Sequence, residues 1–281
     1  MKRNVLLGLV LASATAAAAA ADEFVVPILA VNWPGHAGNV WNSELFLTNP
    51  GPTVVNVGVG KFLPGTVKVG VPCYPPIAAF TSVPPYSTVL VSRRTLWVDL
   101  QCPVAALGAM ALDADGPVVI STRVVTDRGA STGELLSGFG QEVPGVAAAD
   151  LAVPDAVYTV PGLVWDPFGC GPPAFESYLY LANAGGTDVD VTLQRSRDGT
   201  PAQLLVNGKL VVTPYVVTVG AGSFRQLKVD YAGPAPAGLA CQPPMIVDLF
   251  FSASGPVAVV GSVVDRSSQD ARTVIPVRTA D

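Results

Sequence analysis

The chain has 281 residues, a formal net charge of −5, and 13% charged side chains against 50% hydrophobic ones. An acidic chain with few basic clusters is a poor match for nucleic acid or an anionic membrane, and Arg93-Arg94 reads as a solvated strand edge. The charged fraction is well below the usual ~25%; together with 28 Gly and 26 Pro it excludes a helical bundle and points to a turn-rich, all-β extracellular protein.

Met1-Lys2-Arg3-Asn4 leads into the apolar run Val5 to Leu11 and an alanine tract ending at Ala20-Ala21. A basic start, a short apolar run and small residues before a cut are the parts of a secretory signal peptide. The run is too short for a membrane span, which needs roughly 20 residues. Removal of residues 1–21 leaves 260 residues (281 − 21) and, with Lys2 and Arg3 lost, a net charge of −7 (−5 − 2). No cysteine stands at the cut and no second long apolar segment follows. The expectation is a bacterial chain that is secreted, extracellular or at the cell surface, or held in the periplasm, with no membrane insertion after cleavage.

The mature sequence divides into a module at 22–144, a linker at 145–156 and a module at 157–281. The first module opens on the apolar run Phe24 to Val31, where Pro27 suggests an edge strand or a bulge. A loop, Asn32 to Asn39, follows. Ser43 to Val57 then reads SELFLTNPGPTVVNV, and 134 residues later (177 − 43) Ser177 to Val191 reads SYLYLANAGGTDVDV. Identities fall on alternate residues: Ser43, Leu45, Leu47, Asn49, Gly51, Thr53, Val55 and Val57 recur at positions 177 to 191. That is the side-chain period of a β-strand, and Asn-x-Gly is turn chemistry. The stretch reads as strand, tight turn, strand: a hairpin with one face fixed and the other free to drift. From Val26/Val160 to Gly65/Gly199 the ungapped match holds 13 identities in 40 pairs, which marks an internal duplication.

The middles diverge. In the first copy Pro64-Gly65 separates strand-like segments and a Pro- and Tyr-rich stretch follows. In the second, Gln203 to Val212 predicts a hairpin on Asn207-Gly208. The register returns at Cys102 and Cys241, each 14 residues before a Gly-Pro pair (116 − 102 = 255 − 241 = 14). Strands are expected over Ala105 to Leu112 and Met245 to Phe251, then from Pro117 and Pro256 onward. Each copy closes on Val143-Pro144 or Ile275-Pro276. The linker is short and has few glycines, so a preferred relative orientation is expected. About seven short strands per copy, spaced by turns, predict two tandem immunoglobulin-like antiparallel β-sandwich modules.

The pattern Ser-[Glu/Tyr]-Leu-aromatic-Leu-x-Asn, followed by Gly-Pro-Val-Val-Ile-Ser-Thr-Arg at Gly116, resembles the tandem β-sandwich modules of uncharacterised secreted bacterial proteins. The resemblance covers most of both copies and implies strand faces and turns, with no catalytic set to carry over. The second copy departs from it at Ala184, in place of Pro50, and at Val260-Gly261-Ser262, in place of Ser121-Thr122-Arg123.

Candidate chemistry is sparse. Four cysteines in an exported chain point to two disulfides; of the three pairings, Cys73–Cys102 and Cys170–Cys241 keep each bridge within one module. Their spacing does not suit zinc. Asp113-Ala114-Asp115-Gly116 could suggest calcium, but the second copy has Ser252-Ala253-Ser254-Gly255, and a turn explains both. Neither a metal nor a cofactor is expected. The lone His36 has no nucleophile motif beside it, and Glu44, Glu134, Glu142 and Glu176 are too scattered to argue a glycosidase pair. Of Trp33, Trp41, Trp97 and Trp165, the first two flank His36. Trp33, His36 and Trp41 are therefore the candidate ligand-binding residues, as a platform for a sugar ring, with core packing as the competing reading for both tryptophans and the favoured one for Trp41, which aligns with Phe175 in the repeat. The expectation is a non-enzymatic structural or interaction protein for adhesion or assembly, with a protein partner or self-association. The alternatives are a carbohydrate-binding module and an enzyme with an unrecognised site.

Overall fold

The computed structural model describes residues 22–34, 40–67, 79–92, 105–127, 140–165, 174–231, 244–266 and 270–279. All four cysteines, His36, Trp97, Glu134, Arg93-Arg94 and the expected signal peptide lie outside these residues. Among the described residues the fold is all-β, with one 3-10 turn at Ala148–Asp150.

In the first half, β1 (Asp22–Val31), β4 (Val55–Val67), β5 (Ala79–Val83), β7 (Ala106–Ala114) and β10 (Val146–Ala147) form one antiparallel sheet in the order β10-β1-β7-β4-β5. A second sheet holds β3 (Val40–Asn49), flanked by β8 (Val119–Asp127) and β9 (Gly140–Pro144) on one side. On its other side lie β2 (Trp33–Pro34) and β6 (Ser87–Val91). The second half repeats this plan. The sheet β16-β13-β18-β11-β21 comprises β16 (Tyr215–Val219), β13 (Val189–Gln194), β18 (Met245–Ala253), β11 (Val157–Trp165) and β21 (Val277–Arg278). Its partner runs β15-β14-β17-β12-β19-β20, from β15 (Lys209–Val212) and β14 (Gln203–Val206) through β17 (Ser223–Tyr231), β12 (Phe175–Asn183) and β19 (Ala258–Asp265) to β20 (Ala271–Val274). The two strands extra to the plan, β14 and β15, are the expected hairpin. Asn207 and Gly208 both take positive φ, 52° and 76°, and Val206 pairs Lys209 across a two-residue turn.

The repeated stretch is not a hairpin. β3 and β4 lie in opposite sheets, as do β12 and β13, so residues 50–54 and 184–188 arch over the end of a sandwich. Alternation cannot tell the two apart, because in both cases one face of each strand points into apolar surroundings. The fixed face points inward: Leu45, Leu47, Val55 and Val57 are buried in one core, Leu179, Leu181, Val189 and Val191 in the other. The polar identities on that face tie the layers together. Ser43 Oγ accepts from the Ala30 amide at 2.8 Å and Ser177 Oγ from the Val164 amide at 2.9 Å, each joining facing sheets. The fully buried Asn49 donates through Nδ2 to the carbonyls of Thr53, Val83 and Pro84 and accepts the Gly51 amide on Oδ1. Asn183 repeats the set with Thr187, Val219, Gly220 and Gly185. One carboxamide thus pins the arch to the end of a third strand and gives partners to carbonyls of the arch and of that strand end.

The two halves pack face to face. A third apolar cluster joins Val25, Ile28, Ala30, Leu63, Leu107 and Ala109 from the outer face of the β1 sheet to Tyr180, Ala182, Phe224, Ala258 and Val260 of the β12 sheet. Every residue from Val25 to Val31 is buried, one face in each cluster. Pro27 marks a bulge here, and β1 is paired on both sides, by β7 and β10. The register shifts between Val26 and Leu29, and β11 repeats the shift between Val160 and Leu163. A missing amide hydrogen costs least where the ladder is already interrupted. Gly65 lets the halves approach closely, since a Cβ there would stand 2.3 Å from the Phe224 ring. Residues 145–156 are pinned at both ends. β10 pairs Phe24 and Val25, while Ala152 bridges Val257 of the second half.

Deleting either asparagine side chain strands buried carbonyls, at roughly 1–3 kcal/mol for each group left unpaired. Asn49→Ala and Asn183→Ala should each lower stability by about 2–4 kcal/mol. Because the halves share a core, both should shift the same single urea transition. Two resolved transitions, each moved by only one of the variants, would show that the halves unfold independently.

Candidate functional site

Between the halves lies a cavity of about 370 Å³, within the roughly 300–1,000 Å³ range of small-molecule sites. Trp33 and Trp41 line one side of it, Tyr178 and Tyr180 another. Trp33 and Trp41 face each other across the short β2–β3 ladder and are both half-buried against the inter-half cluster. Neither is a fully enclosed core residue, and Trp41 meets the surroundings of its repeat partner Phe175 only in part. Phe175 packs against the second-half core, whereas Trp41 packs between the halves. His36 belongs to the segment joining β2 to β3, outside the described residues. Trp165 is 2% exposed, at the end of β11.

The second half supplies a charged cluster at the cavity wall. Tyr178 donates its hydroxyl to Glu176 Oε2 at 2.6 Å, and Lys228 Nζ donates to Oε1 at 2.8 Å. Arg266 Nε stands 3.7 Å from the same oxygen. Burial disfavours the charged carboxyl, but Lys228, Tyr178 and Arg266 together outweigh it, and Glu176 stays below the usual carboxylate range. Burial and then the neighbouring Glu176 carboxylate push the Tyr178 hydroxyl well above the ordinary tyrosine value. Tyr180, also buried, is raised to about 12.

A polar chain crosses from one half to the other along the same cavity. Ser262 and Gln226 lie near the Tyr180 hydroxyl and offset part of the rise that burial causes. Ser262 Oγ donates to Gln141 Oε1 of the first half at 2.8 Å. The other arm of that carboxamide, Nε2, is buried and has no partner among the described residues. Next to it, the Thr273 hydroxyl donates to the Glu142 carbonyl, a second bond between the halves.

The remaining acidic candidates serve the fold. Asp115 accepts both the amide and the side-chain nitrogen of Asn56 at 2.7 Å; these bonds hold its carboxyl below the ordinary value. In the second half Ser254 Oγ accepts the Asp190 amide in the same place, so a turn function accounts for both copies. Glu44 and Glu142 stand on either side of Arg123 in one cross-strand row, away from the cavity. A second cavity of about 500 Å³ lies under the 144–153 connection, with Tyr158, Phe251 and Ile275 in its walls.

Of the candidate residues, the cavity brings together Trp33 and Trp41. Gln141, Tyr178, Tyr180, Gln226 and Arg266 join them without having been singled out in sequence, and Glu176 had been counted only among scattered carboxylates. A signal for three of them was present: Glu176, Tyr178 and Tyr180 occupy the drifting positions between the repeat identities, where the first copy has Asn42, Glu44 and Phe46. The arrangement can stack on a ring, donate to a hydroxyl or carbonyl, and hold a neutralised carboxylate at the rim. Comparison with protein-family models, with curated proteins and with solved structures finds no match.

Stability contributed by the ionised Glu176 is fully present above the ordinary carboxylate range, near pH 4.3, and is lost as pH falls through its lowered folded value. Glu176→Gln should therefore flatten the acid limb of the stability–pH profile, measured as urea midpoints between pH 6 and pH 3. An acid limb identical to that of the wild-type chain would mean the Lys228–Glu176–Tyr178 cluster contributes nothing to folding.

Proposed function

We propose that this chain is an exported, non-catalytic interaction protein: two tandem immunoglobulin-like sandwiches, released from a signal peptide and held as one rigid body that presents its surface for adhesion or assembly. The observation that carries this reading is the third apolar cluster, which fixes two similar units in a single orientation. Each unit is immunoglobulin-like in the broad sense of two face-packed antiparallel sheets. Its first and eighth strands exchange sheets relative to the antibody order, since β1 pairs β7 and β8 pairs β3. Disulfides Cys73–Cys102 and Cys170–Cys241 belong to this proposal, as does an extracellular or cell-surface location.

The partner is a protein or a second copy of this chain. In favour of self-association, β15 is the outermost strand of its sheet among the described residues and exposes Leu210 and Val212 by more than half, an arrangement that natural edges normally avoid. A carbohydrate partner is the second reading, favoured by the half-buried Trp33 and Trp41 at the inter-half cavity.

Light scattering of the purified chain over a hundred-fold concentration range should show association that Val212→Lys abolishes. A monomer at every concentration would sink self-association and leave the heterologous partner or the glycan.

A further inference from the structure

The ribbon of β14 and β15 has no counterpart in the first half among the described residues, so the sandwich plan does not require it. It is firmly seated all the same. Leu204, Val206 and Val211 belong to the second-half core, and β14 pairs Val229 to Tyr231 of β17. What the ribbon presents outward is one open edge. Thr213 donates its amide to the Ala202 carbonyl at 2.8 Å, which sets the phase of the ladder. Lys209, Val211 and Thr213 turn their backbone groups toward β14, while the alternate residues, Leu210 and Val212, turn theirs away from it. The Asn207 amide, donating to the Lys228 carbonyl, fixes the same phase from the other side of β14. Two amides and two carbonyls therefore line an edge that no strand covers among the described residues. The side chains of Leu210 and Val212 stand on the solvent face, 53% and 58% exposed, across from Leu205 and Gln203. Natural edges are guarded by a lysine, a proline or a bulge. Here Lys209 stands at the turn, Pro214 lies past the end, and the register runs from Gln203 to Val206 without a shift.

This edge complements itself in one register. Laid antiparallel about a two-fold axis at Val211, Leu210 meets Val212 of the second copy and Val212 meets Leu210. The two pairs then exchange four hydrogen bonds. Centring the pairing on Leu210 sets Val212 against the turn at Gly208, and centring it on Val212 sets Leu210 against Pro214, which has no amide to give. The Val211 register also gathers Leu205, Leu210 and Val212 of both copies on a shared face. It holds the two Lys209 residues about 14 Å apart along the ladder, beyond the ~8 Å screening length of physiological salt. We propose that β15 joins β15 of a second copy in this register, giving a closed two-fold dimer with one sheet continuous across both chains. This rests on the self-association reading above and goes beyond it by fixing the register and stopping growth at two. A contact that uses the same patch on both chains leaves no second patch of its kind.

The test is oxidative cross-linking of the full chain carrying one added cysteine, alongside light scattering. Val211→Cys puts the added thiol opposite its symmetry mate in a non-hydrogen-bonded pair, with Cα atoms about 4.5 Å apart and within disulfide reach. Leu210→Cys and Val212→Cys each stand diagonal to their own mates, about 7–8 Å away, which is beyond it. Val211→Cys should therefore form a covalent dimer about ten-fold faster than either. The unaltered chain, which controls for the native cysteines, and Thr192→Cys on the central strand β13 should form none. Val211→Cys keeps a small apolar side chain in the core, and an unshifted urea midpoint checks its fold. Scattering should reach a plateau at twice the chain mass. A monomer at every concentration, with no cross-link, removes both this proposal and self-association. Growth past two overturns the closed dimer and leaves self-association standing. A dimer in which Val211→Cys does not lead the cross-linking overturns the register, and a lead by Leu210→Cys or Val212→Cys would mark a slipped one.

Discussion

The sheet β10-β1-β7-β4-β5 is covered on both faces over β1 and β7, and the rest of the molecule follows from that constraint. Strand β1 sends Val26, Leu29 and Val31 into one apolar layer and Val25, Ile28 and Ala30 into another. Fully burying one such larger side chain is worth roughly 1.5–3 kcal/mol, so a first half standing alone would leave several of them in water. The β12 sheet covers them with Tyr180, Ala182 and Phe224. Antiparallel sheets usually keep one face solvated; here two of the four sheets, those of β1 and β12, give that up against each other, and the two halves become one body.

The contact is head-to-tail between the copies, since the outer face of the β1 sheet meets the outer face of the β12 sheet, which corresponds to the β3 sheet of the first copy. Such a contact could repeat without closing, but the two faces left over have changed. In the β3 sheet, Glu44, Thr48, Thr88 and Ser121 stand at the register positions of Tyr178, Ala182, Phe224 and Val260. In the β11 sheet, Thr159 and Asp248 replace Val25 and Ala109, and Asp248 accepts the amide of Gly162. Polar outer faces are how stacked repeats are capped. Ile246, the counterpart of the buried Leu107, is 75% exposed and is what remains of the docking surface on that side.

Much of this was legible in the residues. The alternating identities from Ser43 to Val57 mark the inward face, and the buried asparagines and serines explain why polar residues were kept among leucines and valines. The Asn207-Gly208 hairpin follows from turn chemistry alone. The arch after Asn49 was not legible as an arch, because a one-sided strand pair looks the same whether its strands share a sheet or face each other across one. The cavity was harder still. Gln141, Tyr178, Gln226 and Arg266 sit on or beside four different strands, and nothing local in any of them announces a neighbour in the other half. The positions the two copies share carry the fold. What had changed, Glu176-x-Tyr178-x-Tyr180 in place of Asn42-x-Glu44-x-Phe46, is where the junction and its cavity were made.

The position of β1 also governs how the molecule would carry a mechanical load. Tension drawn along β1 from Asp22 cannot peel the strand away one bond at a time, because β7 runs beside it from Asp22 to Val31 and β10 holds its other side at Phe24 and Val25. The strand would have to slide past both neighbours with its two packed faces dragging through separate apolar layers. Resistance of that kind is set by the barrier to unfolding rather than by equilibrium stability. An anchoring point placed ahead of β1 would therefore meet the molecule at a strongly braced strand.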